Sequence, residues 1–301
     1  MAEITASMVK ELRERTGAGM MECRNALVEA NGNLDDAEVV LRKRGAAAAA
    51  KKASRSAKQG LIAVDIAADG KSAVIVEVNC ESDFVARTDD FQQLGADLAA
   101  HVKASKADSV DALLAEKFLK DSSTTVGDYI KTKIAKVGEN IVLPRFERLT
   151  VDKGTISSYI HPGSQLAVIV AVTTGGEATH EEFLALGKDV AMQVAAADPK
   201  YVIRSQVDAS HLNKEADIAR DRARNEGKPE KILDKIDEGR IGKFYEEVCL
   251  VEQPFIKDNS ITITELIKQK ASSVGGPIEV TKFVRFKVGE TQSGEEATAA
   301  E

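Results

Sequence analysis

The stretch EVNCESDFVARTDDF, residues 77–91, places an acid beside a large aromatic side chain where the pattern predicts a loop. Ser82, Asp83, Phe84 and Val85 follow a β-branched run and precede an amphipathic helix. Because loops run over the surface and are usually polar, an aromatic side chain here favours a binding role for the acid-aromatic pair. The alternative is that Phe84 packs into the local core while Asp83 caps the following helix.

Two further positions carry side chains suited to binding. Met20 and Met21 are adjacent on a predicted helix, and a narrow apolar stripe does not bury two adjacent side chains, so we expect one to point outward. An exposed methionine suits an adaptable binding surface. His161 ends a predicted strand just before Pro162-Gly163. It is either a contact residue or a turn residue that satisfies local backbone groups.

The signatures of common catalytic sites are absent from the sequence. There is no GxGxxG or GxxxxGK[ST] phosphate loop, no HExxH, paired CxxC or EF-hand loop, and no GxSxG nucleophile elbow. The four histidines are scattered. We therefore predict that the protein is not an enzyme and holds neither a cofactor nor a metal.

The bulk composition describes a globular protein that is not a dedicated nucleic-acid binder. The formal net charge is −7, whereas a nucleic-acid binder usually carries a basic surface. With nine Phe, four Tyr and no Trp, the chain has few aromatic side chains on which bases could stack. Three widely spaced cysteines indicate buried thiols in a reducing compartment. No apolar run approaches the roughly 20 residues of a membrane span. These features predict a cytoplasmic protein without membrane contact.

Residues 1–45 read as a three-helix docking module of the size of a ubiquitin-associated (UBA) domain. The apolar stripe of the second helix is predicted to contain Met20, Cys23, Leu27 and Ala30, and Gly45 is predicted to end the third helix. A basic linker, residues 46–60, follows. Between residues 42 and 58 there are seven Lys and Arg and no acid. These charges are either simply solvated or contact phosphate or an acidic surface.

The rest of the chain contains an internal repeat of the type β–β–α. KSAVIVEVN (71–79) resembles QLAVIVAVT (165–173), and each run follows a possible hairpin partner with turn residues between. The helices that follow, 89–102 and 181–197, also match. The second copy joins strand to helix with TTGGEATH, which is small and polar. Phe84 of the first copy is therefore not needed for the geometry of this connection.

The predicted fold class is α+β. The three-helix module precedes a duplicated core of two small antiparallel sheets with helices, and an antiparallel helical hairpin is inserted in the second copy. The predicted divisions are the module, the linker, a first core subdomain at 61–150, a second at 151–205 and 250–289, the hairpin at 206–249 and a disordered tail at 290–301. The apolar side of the hairpin is predicted to contain Ile232, Leu233, Ile236, Ile241 and Phe244.

At this level of detail the chain resembles a known family. ELRERTGAGMMECRNALVEANGNLDDA, EVNCESDFVA, KVGENI, SYIHPGSQLAVIVAV, AMQVAAADP, EGKPEKI and LVEQPFI look, in this order, like the bacterial translation elongation factor Ts family. The resemblance extends from about residue 3 to residue 289. Ser82 stands where the family usually has Thr, which keeps the hydroxyl group.

The resemblance implies guanine-nucleotide exchange on elongation factor Tu, in its GDP-bound and nucleotide-free forms. Asp83 and Phe84, flanked by Ser82 and Val85, match the acid-aromatic pair that inserts near the Mg²⁺ site of the GTPase. It further implies contacts from the module, the linker and the core, through Arg13, Met20, Met21, Arg24, Lys52, Val137, Gly138, Asn140 and His161. The helical hairpin is a possible dimerisation element, as in some relatives.

Two other functions remain open from the residues. One is an RNA-binding, translation-associated factor that uses the basic linker; such binding falls steeply with rising salt. The other is a UBA-like module that binds peptides through the N-terminal helices.

Overall fold

The computed structural model describes residues 3–225 and 233–291. It is a mixed α+β structure with an N-terminal helical module and small antiparallel sheets, which confirms the predicted fold class. None of the described helices is long and apolar enough to cross a membrane.

The N-terminal module contains the three predicted helices, α1 (Ala6–Thr16), α2 (Met20–Glu29) and α3 (Leu34–Lys52). The Thr5 hydroxyl accepts the Met8 N–H at the start of α1, and Asn33 caps α3 in the same way. The small apolar core consists of Val9, Leu12, Cys23, Ala26, Leu27 and Ala37. Met20 is not part of it, so its predicted place in the apolar stripe of α2 is wrong.

The third helix continues past Gly45 to Lys52, so the prediction that Gly45 ends it is wrong. Gly45 is buried where α3 crosses α7 (Val126–Val137), and a Cβ there would lie 3.5 Å from the Ala135 Cβ. The glycine therefore serves helix packing. The alanine-rich stretch after it, which has high helix propensity, joins the module to the core as continuous helix.

The first copy of the repeat forms a three-stranded antiparallel sheet in the order β1-β2-β5. Its helix α5 packs over the face that carries Val74, Val76 and Val78. The elements up to the end of this copy are β1 (Gln59–Ile66), β2 (Ser72–Cys80), α4 (Asp83–Ala86), α5 (Asp89–Ala104), α6 (Val110–Ala115), β3 (Lys117–Phe118), β4 (Asp121–Thr125), α7 (Val126–Val137) and β5 (Ile141–Thr150).

The second copy forms the equivalent sheet in the order β10-β7-β6, covered by α8. Between α8 and the last elements of this copy the chain forms α9 and α10, which pack against each other. The bounds are β6 (Thr155–Ile160), β7 (Leu166–Thr174), α8 (Glu181–Ala197), α9 (Ala209–Asn225), α10 (Leu233–Val248), β8 (Pro254–Phe255), β9 (Asp258–Thr262), α11 (Ile263–Val274) and β10 (Ile278–Lys287).

The repeat is longer than the sequence comparison predicted. A short hairpin, a helix and a final strand follow in both copies: β3, β4, α7 and β5 in the first, and β8, β9, α11 and β10 in the second. Thr125 and Thr262 cap the two helices at the N-terminus, and Gly138 and Gly275 end them with φ of 84° and 79°.

The two sheets pack face to face around a shared core that includes Ile75, Ile169 and Phe286. Each hairpin turn also bonds to the first strand of the other copy. The Ile62 N–H donates to the Ser164 carbonyl at 2.6 Å, and the Ile156 N–H donates to the Gly70 carbonyl at 2.8 Å. The reciprocal bonds join the copies into one core.

The inserted helices α9 and α10 agree with the predicted hairpin, in which Phe244 is buried and Ile241 is partly buried. The predicted turn at Gly227–Pro229, Ile232, and the side chains of Leu233 and Ile236 lie outside the described residues. So do residues 292–301 of the predicted tail. Glu290, at the predicted start of that tail, forms ion pairs with Arg145 at 3.3 Å and Arg285 at 3.0 Å.

Candidate functional site

The acid-aromatic pair lies on one short helical turn, α4, and Phe84 points into solvent. The Phe84 side chain is 82% exposed, the largest exposed fraction among the large apolar side chains described. Ser82 caps α4, with its hydroxyl accepting the Val85 N–H at 3.3 Å, and Thr88 caps the following helix α5. The alternative, in which Phe84 packs into the core and Asp83 caps the next helix, is therefore wrong.

Asp83 is half-exposed beside the phenylalanine. Its carboxylate lies 3.0 Å from the Arg87 guanidinium one turn later, and the Arg87 side chain is itself mostly exposed. Such an exposed ion pair contributes little to stability, so breaking it to bind a partner costs little free energy. Val85 is partly buried against the first-copy core and anchors the turn that carries both side chains.

The Glu139 carboxylate fixes the start of this loop. One of its oxygens accepts the backbone N–H groups of Glu81 at 3.1 Å and Ser82 at 2.9 Å. The other accepts the Ser82 hydroxyl at 2.6 Å. A carboxylate acceptor makes these bonds stronger than neutral ones. Glu139 was not among the predicted site residues.

A second carboxylate, Glu81 of the loop, binds backbone of the turn that carries Glu139. Glu81 accepts the Asn140 backbone N–H at 2.6 Å and lies 3.5 Å from the Arg55 guanidinium. The Asn140 side chain is 3% exposed and donates to the Arg55 carbonyl at 2.8 Å. The loop at 81–85, the turn at 137–140 and the end of the linker thus form one hydrogen-bonded unit. We call it the carboxylate clasp, after Glu81 and Glu139.

Beside the clasp, Val137 is half-buried and Gly138 is exposed. Nothing lies within 4 Å of a Cβ built on Gly138, so its α-carbon faces open space. These two residues are accessible to a partner, whereas the buried Asn140 side chain supports the loop from behind.

The N-terminal module lies next to this region. The Lys136 side chain packs 3.9 Å from a Cβ built on Gly17, and its ammonium group pairs with Asp90 at 2.5 Å. The hydrogen bond from Lys136 lowers the pKa of Asp90. Lys136 therefore lies beside the RTGAGMM turn while it pairs with the first turn of α5, a position that the sequence did not single out.

Both methionines of the module are exposed, Met20 at 57% and Met21 at 63%, although only one was expected to point outward. Arg13 and Arg24 are exposed, and Lys52 is partly buried near the end of α3. With the exposed Val28, one turn beyond Arg24, α2 presents an apolar stripe that no described residue covers.

His161 stands apart from the other predicted site residues. It is exposed on the turn between β6 and β7 of the second copy, and its Nδ1 lies 3.0 Å from the Tyr159 hydroxyl. Its backbone closes the turn, with the N–H donating to the Leu166 carbonyl and the carbonyl accepting the Ser164 N–H. Among the described residues, no hydrogen bond connects it to the clasp or the module.

Cys80 lies directly under the loop and is a structural thiol. It is fully buried, and its Sγ lies 3.1 Å from the Ser82 carbonyl, to which it donates. Burial raises the pKa of Cys80 to about 12, so the group stays protonated and unreactive at neutral pH. In residues 3–225 and 233–291 no group of three His, Cys, Asp or Glu is arranged to hold a metal ion.

Known proteins are similar to this chain over nearly its whole length. The sequence model of the family described as Elongation factor TS matches residues 81–290. Proteins named Elongation factor Ts from Clostridium kluyveri and Clostridium tetani are each 48% identical to this chain over 298 residues. The one from Clostridium novyi is 45% identical. Each alignment covers 99% of this chain and 97% of the relative. The chain belongs to the elongation factor Ts family of translation elongation factors.

Proposed function

We propose that this protein is a guanine-nucleotide exchange factor that binds the GDP form of elongation factor Tu and accelerates release of GDP, so that GTP enters. The observation that carries the proposal is Phe84, 82% exposed beside a half-exposed carboxylate on a loop fixed by hydrogen bonds. An aromatic side chain in solvent is stabilised when it enters an apolar site of a partner.

The energetics suit an exchange factor without covalent chemistry. A thousandfold acceleration of release needs about 4 kcal/mol off the barrier. Burying one large apolar side chain contributes about 1.5–3 kcal/mol, and Phe84, Met20 and Met21 are exposed in the free protein. Two or three such anchors supply the required free energy, less what their ordering costs. Because coupling between sites is reciprocal, nucleotide weakens the binding of the factor by the same ratio.

Asp83 and Phe84 have different roles in this mechanism. Phe84 enters between helices of the GTPase and holds open a conformation that retains nucleotide poorly. The Asp83 carboxylate, flanked by Ser82 and Val85, competes for polar groups that otherwise support Mg²⁺ or phosphate. The factor itself needs no metal or cofactor for this.

The remaining contacts come from three elements. Arg13, Met20, Met21 and Arg24 of the module, with Lys52 at the end of α3, dock on the nucleotide domain of the GTPase. Val137 and Gly138 add accessible backbone and side-chain surface, and Asn140 supports them from its buried position. His161 serves a more distant part of the same partner. Self-association through the hairpin α9–α10, and action in the cytoplasm, remain predictions.

An RNA-binding role for the basic linker has less support. Of the seven cations at 42–58, Arg42 pairs with Glu38, Arg44 with Glu29 and Arg55 with Glu81. These three cations form ion pairs with acids of the protein itself, which leaves less positive charge for RNA.

The test is release of fluorescent GDP from purified elongation factor Tu. A catalytic amount of the protein should accelerate release severalfold or more under single-mixing conditions, and a pull-down from cytosol should be dominated by a GTPase of the Tu type. A release rate unchanged at saturating protein would contradict the proposal. Retention of RNA in place of the GTPase, with a steep salt dependence, would favour the alternative.

A further inference from the structure

We propose that the carboxylate clasp positions the acid-aromatic pair, with Glu139 as the positioning residue, and ties it to the N-terminal module so that both engage the partner as one unit. The inference rests on the proposed exchange function. It assigns a role to Glu139 and Glu81 through their hydrogen bonds within the chain.

The helical turn α4 is not stable by itself. It has four residues, a single turn, and helices this short are unstable in water without outside support. Val85 and Ala86 pack its C-terminal half on the core, and hydrogen bonds support its N-terminus. Glu139 accepts two backbone N–H groups and the hydroxyl of Ser82, the residue that caps α4. The direction in which Phe84 points thus depends on Glu139 through Ser82.

The carboxylate clasp also holds the end of the linker. Glu81 accepts the Asn140 N–H and pairs with Arg55, and the Asn140 amide donates to the Arg55 carbonyl. Arg55 lies just after the end of α3, and α3 packs along α7. The helix α7 ends at the turn that carries Glu139. A shift of the module relative to the core would therefore strain the bonds that orient Phe84.

The second copy closes the equivalent connection without a carboxylate. The residue equivalent to Glu139 is Gly276, and a Cβ on it would lie within 2.4 Å of the Gly176 nitrogen. There the loop and the turn meet backbone to backbone, with no carboxylate between them. The fold thus has a way to close this connection without a glutamate. The clasp occurs in the copy that carries the exposed aromatic.

The test uses the full chain with Glu139→Ala, Glu139→Gln and the matched control Glu147→Ala, which removes an exposed carboxylate from β5. Stimulated GDP release is measured against factor concentration. We expect Glu139→Ala to lower the maximal release rate about tenfold, with a less than threefold change in the half-saturating concentration. Glu139→Gln, which retains an acceptor, should recover most of the rate, and Glu147→Ala should match the unaltered protein.

A double-mutant cycle with Phe84→Ala separates positioning from general destabilisation. If Glu139 acts through Phe84, adding Glu139→Ala to Phe84→Ala should lower the rate less than twofold further. A full additional tenfold loss, or a Glu139→Ala rate equal to that of the unaltered protein, would overturn the proposal. If Phe84→Ala alone leaves the rate unchanged, the proposed exchange mechanism fails instead. Circular dichroism and thermal unfolding confirm that each variant is folded.

Discussion

The two copies of the repeat build the same connection from strand to helix in different ways. In the second copy, Thr174 to His180 cross from β7 to α8 through Gly175 and Gly176, whose backbones pack directly on the turn at Gly276 and Pro277. In the first copy, the loop after Cys80 is separated from the equivalent turn by two carboxylates, and it adds a helical turn that holds Phe84 in solvent. The fold needs the connection to close; it does not need the aromatic residue.

Elsewhere the copies agree in detail. Lys120 pairs with Asp97 at 2.5 Å, and Lys257 pairs with Asp189 at 2.8 Å, in each case joining the short hairpin to the long helix. Glycines at equivalent positions of the helices, Gly95 and Gly187, have no space for a side chain. The lysine–aspartate pairs and the helix glycines occur in both copies and serve stability, whereas the exposed Phe84 occurs in the first copy alone.

The largest expected effect tests the shared part. Phe91 and Phe183 occupy equivalent places in α5 and α8 and are 1% and 0% exposed. Truncating either to alanine leaves a cavity in one core, so we expect each to lower the free energy of unfolding by about 3–5 kcal/mol, measured by urea denaturation. A loss confined to one of them would break the equivalence of the copies.

The next effect tests what is not shared. Phe84→Ala removes an apolar anchor of about 1.5–3 kcal/mol, so we expect stimulated GDP release to fall by roughly 10- to 100-fold. The melting temperature should stay within about 2 °C because the side chain is exposed. Leu184→Ala, a 39% exposed apolar residue of the second-copy helix, is the control and should leave release unchanged. A melting temperature that drops with Phe84→Ala would show that the fold uses this side chain.

A smaller difference is expected between the two lysine–aspartate pairs. Asp97 is 6% exposed and also accepts the Tyr129 hydroxyl at 2.7 Å, whereas the second copy has Leu266 at the position of Tyr129. Asp97→Ala leaves that partly buried hydroxyl without its acceptor. We expect a loss of about 2 kcal/mol, against less than about 1 kcal/mol for the more exposed Asp189→Ala. Equal losses by urea denaturation would contradict this asymmetry.

The smallest expected effect is on the stability of the fold at acidic pH. Burial by itself would raise the pKa of Asp97, but hydrogen bonds from Lys120, Tyr129 and Gln93 outweigh it and the pKa is lowered. Ionised Asp97 therefore stabilises the fold fully above its unfolded-state pKa of about 3.9. The contribution is lost as the pH falls from there through the lower folded pKa.

The free energy of unfolding is to be measured between pH 6 and pH 3. We expect Asp97→Asn to flatten its decline below about pH 4 while lowering stability at neutral pH. An unchanged slope would show that other carboxylates account for the acid sensitivity.

Much of the fold could be predicted from local pattern. The matching β-branched runs of β2 and β7, their turn residues and the helix that follows each were sufficient to predict a duplicated antiparallel core. The hairpin, helix and final strand that complete each copy were missed as a repeat because β3 and β8 have two residues each, too few for a periodic signal. Their shared F-x-K-D-x-S motif, at 118–123 and 255–260, was the available signal.

The site was predicted in part. Comparison of the two copies in the sequence predicted that Phe84 is not needed for the fold, since the second copy has no aromatic residue in this connection. Glu139 and Glu81 were missed because their importance lies in hydrogen bonds to backbone groups 57 to 59 residues away. Gly45 was misread for a similar reason: its effect on the isolated helix suggests an end, but its packing against Ala135 decides otherwise.

The sequence by itself determined most helices and strands, the strand–strand–helix duplication and the family, and it singled out the acid-aromatic pair. These depend on local periodicity and on motifs along the chain. Only the tertiary structure decided that Phe84 is exposed, that Asn140 is buried, and that one hydrogen-bonded unit joins the loop, the turn and the linker. Exposure and backbone hydrogen bonding depend on which distant segments pack together, and no local pattern encodes that arrangement.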